Sequence, residues 1–147
     1  MEPKIVIVED DASVRRAFRM LLESAGFHTV DFPSAEAFIE SGHFDTSDCI
    51  ITDLYMPGLT GFDFLERLHA QGHATPVIVV TAFSDAANRE RSRLLGVKAF
   101  FGKPIDDQAL VDAIHWAIEE PDFFHHRGYP PQLKRELRPK TDKEKII

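Results

Sequence analysis

A doubly wound α/β domain, a five-stranded parallel sheet with helices on both faces, is predicted by three observations. The sequence holds five short apolar or β-branched runs, a helical pattern follows each of them, and the connections are short. The first run, Ile5-Val6-Ile7-Val8, is apolar throughout, as suits a central strand covered on both sides. Ala12 to Gly26 then places Val14, Ala17, Phe18, Leu21 and Leu22 at helical spacing, and Gly26 is well placed to stop the helix. His28 to Phe32 is more mixed and looks like an edge or near-edge strand. Ser34 ahead of Ala35, Ala37, Phe38 and Ile39 marks a capped second helix. Cys49 to Thr52 returns to central-strand character, and Gly61 to Ala70, carrying Phe62, Phe64, Leu65 and Leu68, gives the third helix. Val77 to Val80 is the third central run, and Lys98 to Phe101 is again edge-like. The last two helices, Asp85 to Leu95 and Asp106 to Ile118, each open on an aspartate that can cap free amides and meet the positive helix end. A closed barrel of such units needs about 250 residues, and the chain has 147. In open sheets joined by right-handed crossovers, ligands sit beyond the carboxyl ends of the strands, near the point where strand order reverses. The chemistry is therefore expected in the loops after the strands.

Composition narrows the function classes. With 44% hydrophobic and 28% charged residues the sequence is that of a soluble globular protein. No apolar run approaches the roughly 20 residues of a membrane span, and Met1-Glu2-Pro3-Lys4 lacks the features of a secretion signal. A cytoplasmic location without membrane contact is expected. Cys49, the single cysteine, lies beside Ile50 and Ile51 and is expected to be a buried thiol, since CxxC and Cys/His spacings are missing. Residues 1–120 hold 20 of the 24 acidic and 10 of the 17 basic side chains, and such an acidic body does not attract nucleic acid.

The acids are concentrated where the fold predicts a site. Glu9-Asp10-Asp11 follow the first strand and Asp53 follows the third, so three or four carboxylates meet at one sheet edge. Like charges so placed repel unless a cation or protons compensate, and hard oxygen ligands in that number favour Mg2+. Caps and surface charge are the plainer explanation, and Asp11 suits a helix cap, but Asp53 stands alone after a buried strand. Thr81 and the small Ala82 end the fourth strand, offering a hydroxyl donor, while Lys103-Pro104 after the fifth supplies a compact cation on a flexible stem. The proline also makes a cis peptide an option. Each of Thr81 and Lys103 is commonplace singly; their joint placement is not.

Residues 4–119 resemble the receiver domain of bacterial two-component response regulators through "IVEDDASVRR", "ITDLYMPGLTGFDFL", "PVIVVTAF" and "AFFGKP". The resemblance implies a flavodoxin-like sheet of strand order 2-1-3-4-5, like that of the chemotaxis regulator. It makes Asp53 the phosphoacceptor and Asp10 and Asp53 direct Mg2+ ligands, with Glu9 acting on the metal through water and Tyr55 adding its backbone carbonyl. Thr81 and Lys103 would bind the acyl phosphate, and Pro57, Gly58 and Gly61 would shape the loop beyond it. Thr81 and Phe100 would be the switch pair that alters the face of the fourth helix, fifth strand and fifth helix. Glu9 stands where the family more often has aspartate, and Phe100 where the chemotaxis regulator has tyrosine. "SAEAFIE" and Phe100 resemble the nitrogen-fixation and nodulation type of regulator.

What the resemblance implies is a phosphorylation-dependent switch that catalyses its own phosphotransfer and autodephosphorylation. Its donor would be the phosphohistidine of a sensor kinase or a histidine phosphotransfer protein, and phosphorylation-linked homodimerisation is expected to be testable. Tyr55 and Phe83 would flank the water path to the phosphate. Residues 1–120 form the receiver, and 121–147, interrupted by Pro121, Pro130, Pro131 and Pro139, are expected to be a net basic tail without an independent fold. His125 and His126 are expected to be unliganded, Phe123, Phe124 and Tyr129 are free to pack on the receiver or a partner, and no direct nucleic-acid binding is expected. The output is open between a receiver cut from a DNA-binding regulator and a stand-alone receiver. Three rivals fit less well. A haloacid-dehalogenase phosphatase needs an aspartate where Tyr55 stands, a degenerate interaction module would lack one of the polar groups, and a flavin-binding domain needs a phosphate-cradling loop after the first strand, where Glu9-Asp10-Asp11 would repel the phosphate.

Overall fold

The computed structural model describes residues 2–43, 46–72 and 74–119. Five strands and five helices alternate: β1 (Lys4–Val8), α1 (Ala12–Ser24), β2 (His28–Phe32), α2 (Ala35–Ser41), β3 (Cys49–Thr52), α3 (Gly61–Ala70), β4 (Val77–Thr81), α4 (Ala86–Leu94), β5 (Ala99–Gly102) and α5 (Asp107–Glu119). All strand pairs are parallel and the order is β2-β1-β3-β4-β5, so the sheet and its topology are those expected. The proposed boundary at residue 120 and the tail residues after it lie outside the described residues.

β1, β3, β4 and β5 bury both faces, and alternation along each one feeds two separate cores. Ile5, Ile7, Ile51, Ile78, Val80 and Phe101 pack with Phe18 and Leu22 of α1 and with Leu110, Ile114 and Trp116 of α5. Val6, Val8, Ile50, Val79 and Phe100 pack with Phe38 of α2 and with Phe62, Phe64 and Leu65 of α3. Phe100 and Phe101 are thus both core residues, one for each face. Cys49 is fully buried, and burial pushes its thiol up to about 12.

Helix ends follow the sequence signals. Asp11 accepts from the Ser13 and Val14 amides, Ser34 from Ala37, Asp85 from Asn88 and Asp106 from Ala109. Gly26, at φ 95°, takes the left-handed turn that ends α1. Four strand limits differ from expectation by one residue, and one of them shortens a strand, since β5 begins at Ala99 and not at Lys98. Lys4 joins β1 by pairing with His28, while Thr81 and Gly102 pair and extend β4 and β5. The last shift matters, because it fixes the loop that carries Lys103.

Candidate functional site

The strand order reverses direction between β1 and β3. The chain moves from β1 outward to β2, then returns to place β3 on the other flank. Val8 pairs with Thr52, and the Asp53 amide donates to the Val8 carbonyl at 3.3 Å. Glu9 and Asp53 therefore leave the sheet side by side, as neighbouring strand ends at such a reversal must.

One oxygen from each of Glu9, Asp10 and Asp53 lies within 4.8 Å of the others. Glu9 and Asp53 are buried, at 2% and 7% exposure, and Asp10 is exposed. Asp53 is held at both oxygens. Its Oδ1 accepts from the main-chain amides of Leu54 (2.6 Å) and Tyr55 (3.3 Å), and its Oδ2 accepts from Lys103 Nζ at 2.9 Å. Lys103 Nζ also donates to Glu9 Oε1 at 2.9 Å, while Glu9 Oε2 accepts from the Asp11 amide. The lysine expected to reach a phosphate is thus within reach of the acids, and the four groups form one cluster.

Their electrostatics follow from burial. Loss of solvent pushes the Glu9 carboxyl above its ordinary range, and the Lys103 hydrogen bond and the Asp11 amide pull it back only in part. For Lys103, burial works to lower the pKa, but hydrogen bonds to Glu9 and Asp53 outweigh it and raise the ammonium above the ordinary lysine value. Lys103 consequently stays cationic. Three acids against one ammonium leave the cluster net negative, and all donors are carboxylate oxygens. That set fits a hard divalent cation such as Mg2+ and offers nothing that a soft metal prefers.

Thr81 is fully buried at the end of β4, its Oγ1 accepts from the Phe83 amide at 3.2 Å, and its carbonyl accepts from the Lys103 amide at 2.7 Å. The hydroxyl keeps its own proton to donate elsewhere. The β4 and β5 loops are therefore tied together at the residues singled out in both. The Lys103-Pro104 peptide is cis. Phe100 lies on the α2 and α3 face, and its strand pairs with β4 through Val79–Phe100 and Thr81–Gly102.

The loop after β3 is fastened from two sides. Glu36 of α2 accepts from the Leu59 amide at 2.7 Å, an approach made where Gly58 has no side chain. Gly61 packs directly on the Asp53 carbonyl and the Leu54 backbone, and its amide donates to the Leu54 carbonyl at 2.8 Å. Over the outer edge, the Tyr55 and Phe83 rings meet edge to face with centroids 4.5 Å apart, and Tyr55 Oη donates to Asn88 Oδ1 at 3.2 Å. The two aromatic side chains expected to flank the water path are in contact.

Like Glu36 and Asn88, two arginines were not foreseen. Arg15 Nη1 donates to the Glu9 carbonyl at 2.7 Å while its Nε pairs with Asp31 at 3.0 Å, bracing the turn after β1 against β2. Arg89 of α4 lies over Phe100. Among the described residues, no helix is long and apolar enough to cross a membrane.

The family model of the response regulator receiver domain matches residues 5–115. The transcriptional regulatory protein FixJ of Azorhizobium caulinodans is 37% identical over 112 residues, 76% of this chain and 53% of that protein. Nodulation protein W of Bradyrhizobium diazoefficiens is 35% identical over 115 residues, 78% of this chain and 51% of its own length. The chain thus spans about half the length of these curated relatives. A crystal structure of FIXJ-N superposes with a TM-score of 0.73 at 29% identity, covering 82% of this chain and 96% of that one.

Proposed function

Because this chain belongs to the response regulator receiver domain family, we propose that it is a phosphorylation-dependent switch in which Asp53 accepts a phosphoryl group. The observation that carries the reading is the Asp53 carboxylate itself. It is buried at a strand end, held at one oxygen by two main-chain amides and faced at the other by a permanent cation.

Asp10, Asp53 and the Tyr55 carbonyl would hold Mg2+, with Glu9 acting through water. When bound, that ion supplies charge neutralisation between an anionic nucleophile and an anionic donor. The protein's own groups do the rest. The amides of Leu54 and Tyr55 fix the carboxylate plane, so attack proceeds in line without a search for orientation. A carboxylate oxygen of Asp53 forms a bond to phosphorus as the bond from phosphorus to a histidine nitrogen of the partner kinase or phosphotransfer protein breaks. The imidazole leaves with the electron pair. Lys103 then serves the transferred phosphoryl oxygens, having been held in place by Glu9, and the Thr81 hydroxyl donates to another. Hydrolysis returns Asp53 as a carboxylate and releases inorganic phosphate.

The test is intact mass after incubation with acetyl phosphate. One phosphoryl increment is expected with Mg2+ and none with excess EDTA; a chain that stays unmodified under both conditions refutes the reading. Because Tyr55 and Phe83 close the outer edge, Tyr55→Asn is expected to speed loss of the phosphoryl group about tenfold, equivalent to ~1.4 kcal/mol in the barrier. The decay followed by mass checks this, and an unchanged rate contradicts it.

The readout would follow from Thr81 moving toward the phosphoryl group and Phe100 filling the space it vacates, which changes the α4, β5 and α5 face. That face would control either a transcriptional output, as the name of FixJ gives for that protein, or a separate partner or second copy. The acidic domain favours a protein partner over direct contact with nucleic acid.

A further inference from the structure

Helix α4 is fastened differently from its neighbours. Of its nine residues only Arg89 and Ser92 are buried, and Leu94 is 63% exposed. Apolar burial, which holds α1, α3 and α5 to the sheet, therefore does little for α4. What faces the sheet instead is a guanidinium. Arg89 is 4% exposed, its Cζ lies 4.8 Å from the centroid of the Phe100 ring, Nη1 donates to the Phe100 carbonyl and Nη2 to the Ser84 carbonyl, both at 3.4 Å. Those two anchors are the aromatic residue of the switch pair and the loop that follows Thr81. One turn further along α4, the buried Ser92 hydroxyl has no hydrogen-bond partner among the described residues. Beside the contact is a cavity of about 210 Å³ lined by Ser84, Arg89, Phe100, Gly102 and Lys103, among others, which gives ring and guanidinium room to move.

The geometry points to Arg89 as a positioning residue that latches α4 to the buried rotamer of Phe100, so that ring and helix shift as one unit. This rests on the proposed roles of Asp53, Thr81 and Phe100 and adds the step that carries their state out of the sheet. A planar, weakly hydrated guanidinium is suited to burial against an aromatic face. Once buried, a cation must keep its partners or return to water. If Phe100 leaves its pocket, Arg89 loses the ring and the Phe100 carbonyl together, and the helix that bears it has few apolar contacts to hold it back. Phe100 has no hydroxyl to be read by hydrogen bonding, and its face is read by a cation instead.

The experiment is a double-mutant cycle on the full chain, with Arg89→Met, Phe100→Leu and the pair titrated with beryllofluoride in excess Mg2+ and followed by amide NMR. Each single change removes a contact of the resting state and is expected to lower the midpoint about fivefold, and the pair by little more than either alone, as for two residues acting through one contact. Amide hydrogen exchange, measured without Mg2+ or beryllofluoride, is expected to rise about tenfold across α4 in Arg89→Met and to stay unchanged in α1. Arg89→Lys keeps the charge without the planar fork and is expected to recover protection only in part; it carries the same test if Arg89→Met does not fold. Unchanged exchange in α4, or single effects that multiply in the pair, overturns the latch. A wild type that takes up no beryllofluoride refutes the Asp53 reading instead, and the exchange result then still decides whether Arg89 docks α4.

Discussion

Asp53→Asn is expected to take up no phosphoryl group from acetyl phosphate under conditions that modify the wild type fully. The substitution keeps the shape of the side chain and one oxygen able to accept from the Leu54 and Tyr55 amides. It removes the charge that makes the second oxygen a nucleophile and pairs with Lys103. A neutral amide oxygen attacks phosphorus far more slowly, so a fall of at least about a thousandfold is expected, more than ~4 kcal/mol in the barrier. Neither Asp11 nor Glu9 is set to replace it, and Asp10 is the acid assigned to the metal. Asp11 is engaged as the α1 cap, and Glu9 is turned between Lys103 and the Asp11 amide. Folding is not expected to suffer, since relief of repulsion within the acidic cluster offsets the lost ion pair. Intact mass gives the result, with urea unfolding as the control. An adduct that persists in a folded variant moves the phosphorylation site elsewhere.

The same cluster marks what the sequence could and could not reveal. Glu9, Asp10, Asp53, Thr81 and Lys103 all lie at strand ends, and a parallel sheet carries every strand end to one edge whatever the details of packing. Their meeting was therefore legible from the runs of β-branched residues alone. The ten elements were legible for a related reason: the central strands are apolar at nearly every position, and four of the five helices begin on Asp11, Ser34, Asp85 and Asp106, which do cap them. Arg15 and Arg89 were not legible. Each sits mid-helix among other charged residues, and nothing local distinguishes a solvated arginine from one that turns inward. That outcome depends on how the helix is rotated on the sheet. For Arg89 the deciding fact is the position of Phe100, 11 residues later in the chain. The pairing of Lys103 with Glu9 spans 94 residues and likewise needs the assembled fold.

Gly61→Ala is expected to destabilise the domain by about 2–3 kcal/mol, against the usual direction for a helical glycine. In an open helix alanine is favoured over glycine by about 1 kcal/mol, because it loses less backbone freedom on folding. Gly61 begins α3, but it is not in open space. A Cβ there would lie 2.2 Å from the Asp53 carbonyl oxygen and 2.5 Å from Leu54 Cα, and both neighbours are backbone that no rotamer change can move. Relief requires either α3 to lift from the sheet or the turn after β3 to move. Lifting α3 loosens Phe62, Phe64 and Leu65 from their core. Moving the turn displaces the Leu54 and Tyr55 amides that fix the Asp53 carboxylate. Stability and phosphoryl uptake are therefore expected to fall together. For a domain that loses ~1.5 kcal/mol per molar urea, the unfolding midpoint drops by about 1.3–2 M. A midpoint equal to or above that of the wild type would mean that the turn accommodates a methyl group freely, and that the close approach of Gly61 does not set the position of Asp53.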